Sequence, residues 1–172
     1  MPATMYKQIL QLPRRLINFG GFAFCAGLLC FAYYLQFYKG LEPCPLCILQ
    51  RVAYIATGLI FLIAAIHNAR RIMSRIYAVL IAAAGLTGAG IAARHVWIQH
   101  LPPDQVPECG PGLDYMLEVF PLSQALKMAF TGSGECAEVV WTFLGLSVPE
   151  WSLLCFLGLA GAGLLWNWRS DS

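Results

Sequence analysis

Four of the chain's seven cysteines have the spacing and placement for thiol–disulfide chemistry. Cys44 and Cys47 form a C-x-x-C unit, Cys44-Pro-Leu-Cys47, and Cys109 and Cys136 lie further along in a long stretch between apolar runs. A C-x-x-C disulfide closes so small a ring that it adds little stability, because stabilisation scales with the closed loop. Such a ring is better suited to passing electrons. Pro43 and Pro45 suit a leading turn and the first positions of a helix, and an apolar run starts right after Cys47. The N–H groups and positive dipole end of that helix are then expected to stabilise a Cys47 thiolate. Arg51, one turn deeper on the same face, adds a second positive charge.

Plainer readings compete. Two structural disulfides account for the Cys109/Cys136 pair but leave a C-x-x-C beside an apolar run unexplained. A four-cysteine zinc site needs its second pair two to four residues apart; Cys109 and Cys136 are not, and no metal is expected. Arg51 alone also reads as a snorkelling arginine at a helix end, although an ionisable group at membrane depth is functional by default. Cys25, Cys30 and Cys155 fall inside apolar runs. Five residues turn a helix by ~500°, so Cys25 and Cys30 face different ways. Buried free cysteine behaves as a small hydrophobe, and no redox role is expected of these three.

The elements that must position the four cysteines are membrane spans. Of the 172 residues, 59% are hydrophobic and 12% charged, about half the ~25% charged of a soluble domain. Four stretches have the ~20 apolar residues that cross a bilayer: Leu16–Phe37, Ile48–Ile66, Ile76–Ile98 and Trp151–Trp168. Trp151, Trp166 and Trp168 flank the last as an interfacial aromatic belt. An all-α, four-transmembrane-helix bundle follows, with no boundary that would divide the chain into domains. The net charge of +2, with no basic cluster among aromatics, gives no footprint for nucleic acid.

Lys7, Arg14, Arg15, Arg70, Arg71, Arg75 and Arg169 all fall on one side of this arrangement, which the positive-inside rule makes cytoplasmic. Both termini are expected there. A cleaved signal peptide is the competing reading of the start, but the first run is longer than a signal h-region and no A-x-A-like site closes it. The outward, periplasmic loops are a short one, 38–47, and a long one, 99–150. The first part of the long loop is rich in Pro and Gly and reads as extended backbone. Leu113, Met116, Leu117 and Phe120, then Leu122, Ala125, Leu126, Ala129 and Phe130, recur at helical spacing. An amphipathic helix lying at the outer interface is expected there, against ordinary packing of a loop helix on the bundle end. All four loop cysteines share this outward side, where disulfides persist.

At these residues the sequence resembles the DsbB family, the bacterial membrane disulfide-bond oxidoreductases. The matching features are Cys44-Pro-Leu-Cys47 followed by Gln50-Arg51, and Gly134-Glu-Cys136-Ala-Glu-Val-Val-Trp141 running on to Pro149-Glu-Trp151. The four-span layout with a short and a long outward loop completes the likeness. The resemblance implies an inner-membrane enzyme that oxidises a periplasmic thioredoxin-fold protein, DsbA or one like it, and delivers the electrons to ubiquinone or menaquinone. It implies that Cys109 is attacked by the partner, that Cys136 is its resolving cysteine, and that Cys44 and Cys47 are the quinone-proximal pair. Arg51 matches the quinone-side arginine. His95 falls near the family's quinone-pocket histidine, with a spacing to Cys109 longer by about a residue, and an interfacial histidine is the competing reading.

The rival from another class is a non-enzymatic four-helix scaffold or transporter subunit clamped by two inert disulfides. A vitamin-K-epoxide-reductase-like bundle also joins C-x-x-C to quinone, but carries that motif late in the bundle, whereas here it opens the second span. The charge asymmetry makes a topological prediction. Reporters fused after residue 72 should be active only as cytoplasmic reporters; a fusion active only when exported reverses the orientation.

Overall fold

The computed structural model describes residues 13–69, 71–107, 115 and 118–168. Four long helices carry the apolar runs: α1 (Arg14–Lys39), α2 (Pro45–His67), α3 (Ile72–Gln99) and, after the long loop, α5 (Val148–Trp168). Each extends a few residues past the apolar stretch that defines its span, because its capping residues lie in the polar flanks. Pro13 precedes α1, and Gly40 ends it in the left-handed conformation with its N–H on the Leu35 carbonyl. Cys44 caps α2 with Pro45 at the first helical position, so Cys47 belongs to the helix and not to the loop that the apolar run alone marks out.

The long loop contains α4 (Leu122–Thr131), a 3-10 turn (Gly134–Ala137) and a small antiparallel hairpin, β1 (Thr142–Phe143) with β2 (Leu146–Ser147). The hairpin was not foreseen. Its two-residue turn is Leu144-Gly145, both at positive φ, the geometry that matches strand twist in a tight hairpin. The indole of Trp151 donates to the Phe143 carbonyl at 3.0 Å and ties the hairpin to the start of α5.

Helix α4 bears out the expected amphipathic pattern and refines it. Ala125 and Ala129 are fully buried against the bundle, while Leu122, Leu126 and Phe130, on the adjacent flank, are exposed. Ser123, Gln124 and Lys127 occupy the remaining arc. One flank faces protein, one presents exposed hydrocarbon and one is polar, as befits a helix at an interface. The earlier apolar set, Leu113 to Phe120, lies largely outside the described residues.

The four long helices pack as α1 on α2, α2 on α3 and, most extensively, α3 on α5. Their outer faces expose Phe24, Ile63, Leu86 and Leu165 among others, as a bundle solvated by hydrocarbon requires. At the end remote from the cysteines, a buried polar clasp joins three helices. The Asn18 and Asn167 side-chain amides exchange hydrogen bonds at 3.0 and 2.9 Å. The Ser74 hydroxyl donates to the Asn167 carbonyl at 2.6 Å and accepts from Arg14 Nη1 at 2.7 Å. The α3–α5 seam between the two ends is drawn close by small residues, the usual device where packing, not dehydration, joins helices. Gly163 is the tightest case: a Cβ there would collide with the Ile81 side chain.

Gly163→Ala should therefore lower stability by roughly 1–3 kcal/mol, the cost of overpacking a close seam. Adding Ile81→Ala should restore part of the loss. The denaturation midpoint of the detergent-solubilised protein measures both, and an unchanged midpoint for the single variant would contradict the seam.

Candidate functional site

The site is built on the first turn of α2. A helix start leaves backbone N–H groups without intrahelical partners, and here sulfur takes them up. The N-cap Cys44 accepts from the Cys47 N–H at 3.3 Å, and the Leu46 backbone lies near Cys136. Cys47 has the Cys44 backbone and the Arg51 charge beside it, in line with the expectation. The Cys44 and Cys47 sulfurs lie 3.0 Å apart, about 1 Å more than a disulfide bond.

Cys136 comes to this turn from the far side of the long loop. Gly132, at φ +86, ends α4 so close to Ile98 that any side chain would collide with it. That turn leads through Ser133 into the 3-10 turn, whose Cys136 is fully buried against Cys44. The contact with Cys44 and, after it, burial push the Cys136 thiol well above the usual cysteine range. Cys44 is buried and Cys47 half-buried. Cys109 lies outside the described residues.

His95, on α3, joins the cluster. It is 2% exposed, its Nε2 lies 3.8 Å from Cys44 Sγ, and its Nδ1 lies 3.1 Å from the side-chain nitrogen of Gln50 on α2. This places His95 beside the C-x-x-C pair and not at the surface, as the interfacial reading would have it. Gln50, 4% exposed, is a site residue that the motif alone does not mark. Its signal in the sequence was a polar side chain inside an apolar span, one turn past the C-x-x-C.

Arg51 turns toward α1. Nη1 donates to Gln36 Oε1, Nη2 donates to the Ala32 carbonyl at 3.3 Å, and the guanidinium stands 4.9 Å from the Tyr33 ring centre. These contacts hold it at the wall of a cavity of about 520 Å³ that is also lined by Cys44, Cys47 and His95. Leu28, Leu29, Tyr54 and Val140 give that cavity apolar walls, and Glu42, Glu135 and Glu138 also line it. Tyr54 is fixed by stacking on Phe156 at 4.0 Å between ring centres. A second cleft, about 450 Å³ between α1 and α5, is lined almost wholly by apolar residues and lies away from the thiol cluster. Cys25 is buried, Cys30 exposed and Cys155 half-buried; Cys155 lines both cavities.

The geometry thus collects two thiols, an imidazole and a guanidinium around one largely apolar chamber, with a third thiol, Cys136, seated behind Cys44. Such a set can exchange disulfides and hold an electron-accepting ring beside a sulfur.

The resolving position makes a pH prediction. A raised thiol pKa keeps Cys136 protonated through neutral pH, so its thiolate fraction grows about tenfold per pH unit until the raised value is reached. In the reduced protein, alkylation of Cys136 should keep rising with that slope beyond pH 9, where an ordinary cysteine, with pKa ≈ 8.5, has levelled off. A plateau near pH 9 would contradict the buried contact with Cys44.

Comparison with known proteins gives a consistent picture. The family model for DsbB, "Disulfide bond formation protein DsbB", matches residues 14–166. A disulfide bond formation protein B of Methylococcus capsulatus is 56% identical over 151 residues, covering 88% of this chain and 92% of that relative. The relative of the same name in Hahella chejuensis is 56% identical over 147 residues, 86% of this chain and 89% of the relative. That of Nitrosococcus oceani is 54% identical over 158 residues, 92% of this chain and 93% of the relative.

Proposed function

The chain belongs to the DsbB family of disulfide bond formation proteins, and we propose that it reoxidises a periplasmic DsbA-like thioredoxin-fold dithiol and passes the electrons to a membrane quinone. Membership makes it a multi-pass membrane oxidoreductase of the disulfide pathway. The observation that carries the finer reading is the seating of Cys136 against Cys44, with Cys47 on the wall of the chamber. One sulfur pair thereby meets the other at one point, and its far member meets an apolar space.

The exchange conserves two electrons throughout. A partner thiolate attacks Cys109 of the Cys109–Cys136 disulfide, forming a mixed disulfide and expelling Cys136 as thiolate. Cys136 attacks Cys44; the Cys44–Cys47 bond breaks, and Cys47 leaves with the electron pair. The partner's second thiolate then attacks its own sulfur in the mixed disulfide, so the partner departs oxidised and Cys109 is freed. Cys109 attacks Cys136, closing the outer disulfide again and leaving Cys44 and Cys47 as a dithiol. A high pKa makes Cys136 scarce as a thiolate but a strong nucleophile once formed.

The chamber fits a quinone. Its volume falls within the ~300–1,000 Å³ of small-molecule sites, and it pairs apolar walls with a few convergent polar groups. When bound, a quinone would supply a two-electron, two-proton acceptor for the Cys44–Cys47 dithiol. Arg51 holds its guanidinium at the wall with donors beyond the two committed to α1, since guanidinium carries five. Those donors suit an oxygen gaining negative charge. His95 Nε2, beside Cys44, can hold a proton there.

The test is steady-state quinone reduction by the purified protein, with reduced donor and quinone varied separately. Arg51→His should weaken quinone use by about 1–3 kcal/mol, the range for a hydrogen bond to a charged group, and leave the donor's apparent KM nearly unchanged. Arg51→Lys should rescue only part, because a point charge replaces a planar fork. A variant that raised only the donor's KM would return Arg51 to a snorkelling role. No quinone reduction by the unaltered chain would remove the quinone from the route and require another electron acceptor.

A further inference from the structure

The sulfur of Cys44, the sulfur of Cys47 and a ring nitrogen of His95 lie within 4.8 Å of one another. We propose that, when the C-x-x-C pair is reduced, these three form a binding site for a thiophilic d10 cation, Zn2+ being the representative, and that its occupation blocks reoxidation of the pair. This differs from a four-cysteine arrangement, since the third ligand comes from α3 and not from the long loop.

The distances are near those a tetrahedral ion imposes. With Zn–S about 2.3 Å and Zn–N about 2.0–2.1 Å, two sulfur ligands stand about 3.8 Å apart and a sulfur–nitrogen pair about 3.6 Å. Cys44 Sγ to His95 Nε2 is 3.8 Å, already in place. Cys44 Sγ to Cys47 Sγ is 3.0 Å, so the sulfurs must part by about 0.8 Å. Cys47 is only half-buried and borders the chamber, which leaves room for that movement. Three protein ligands leave a fourth position to water, as in open zinc sites.

Two further features serve a cation. Metal-bound histidines are oriented by a hydrogen bond to the other ring nitrogen, and the buried Gln50 amide already contacts His95 Nδ1 at 3.1 Å. A half-turn of that amide presents its oxygen to an Nδ1–H and frees the Nε2 lone pair. Glu42, Glu135 and Glu138 line the same chamber, and carboxylates along an access path draw cations in. Two thiolates and an imidazole select zinc-like ions over magnesium or calcium.

Binding is not a redox step. Two thiols lose their protons to water, two metal–sulfur bonds form, and no electron moves. The disulfide form has no thiolate to offer, so only the reduced pair binds. Once bound, both sulfur lone pairs are engaged and the dithiol cannot release its electrons. The binding stands without the electron route proposed above; the block on turnover rests on it.

The experiment titrates the reduced full chain in detergent with Zn2+, counted by equilibrium dialysis, and with Cd2+, read by its thiolate charge-transfer absorbance. One equivalent is expected, absent from the oxidised protein. Cys47→Ser should abolish the absorbance band, His95→Ala should weaken binding at least about tenfold, in line with the effect of losing even an orienting group, and Cys109→Ser should leave it unchanged. Binding that survives Cys47→Ser, that disappears with Cys109→Ser, or that is equal in the oxidised protein overturns the site. With binding established, bound Zn2+ should slow quinone-linked turnover. If turnover were unaffected, the site would stand and the electron route would fall.

Discussion

Unpaired N–H groups at the start of a helix must be satisfied, and here the partners are sulfur atoms. The first turn of α2 gives the Cys47 N–H to Cys44, and Cys136 is seated against that cap. The two thiols meet there, and much of the surrounding architecture delivers them to it. Pro45 starts the helix at the right residue. Gly132 permits the tight turn that returns the long loop to the bundle, and the fully buried alanines of α4 anchor that loop. His95 and Gln50 then close the side facing α3.

The opposite end of the bundle uses a different chemistry for a related purpose. The Asn18–Asn167 amide pair, with Ser74 and Arg14, satisfies buried polar groups among three helices. In a bundle whose outer surface is hydrocarbon, such interhelical hydrogen bonds are modest individually, about 0.6 kcal/mol on average. Their value lies in register, because an amide pair that slips leaves two buried donors unpaired. With α3 and α5 pressed together along Gly163, the frame is closely packed beside this clasp.

Much of this was legible in the sequence because it depends on local pattern. Apolar run length marks the four helices, spacing marks α4, and Cys44, Pro45 and Cys47 mark the start of α2. What escaped depends on contacts between distant segments. That Cys136 stands against Cys44 is a consequence of the Gly132 turn and its fit beside Ile98, which no window of sequence contains. The partnership of His95 with Gln50 likewise needs the α2–α3 packing, and the contacts of Arg51 with Gln36 and Ala32 need α1 beside α2. The hairpin was hidden because its positive-φ turn begins with Leu144, a residue with no turn preference. The resemblance to DsbB pointed to the functional residues, but it did not provide their mutual geometry.

Burial of the inner sulfurs has a consequence of another kind. Cys136 is wholly enclosed and Cys44 is 7% exposed, so a small soluble thiol finds almost no surface of either to strike. On the proposed route, the outer loop cysteine is the entry for reducing power, and the inner pair is reached only from the chamber that Cys47 borders. On that route the protein behaves as a partly insulated wire: the junction between the two sulfur pairs is sheathed, and contact is made at its two ends.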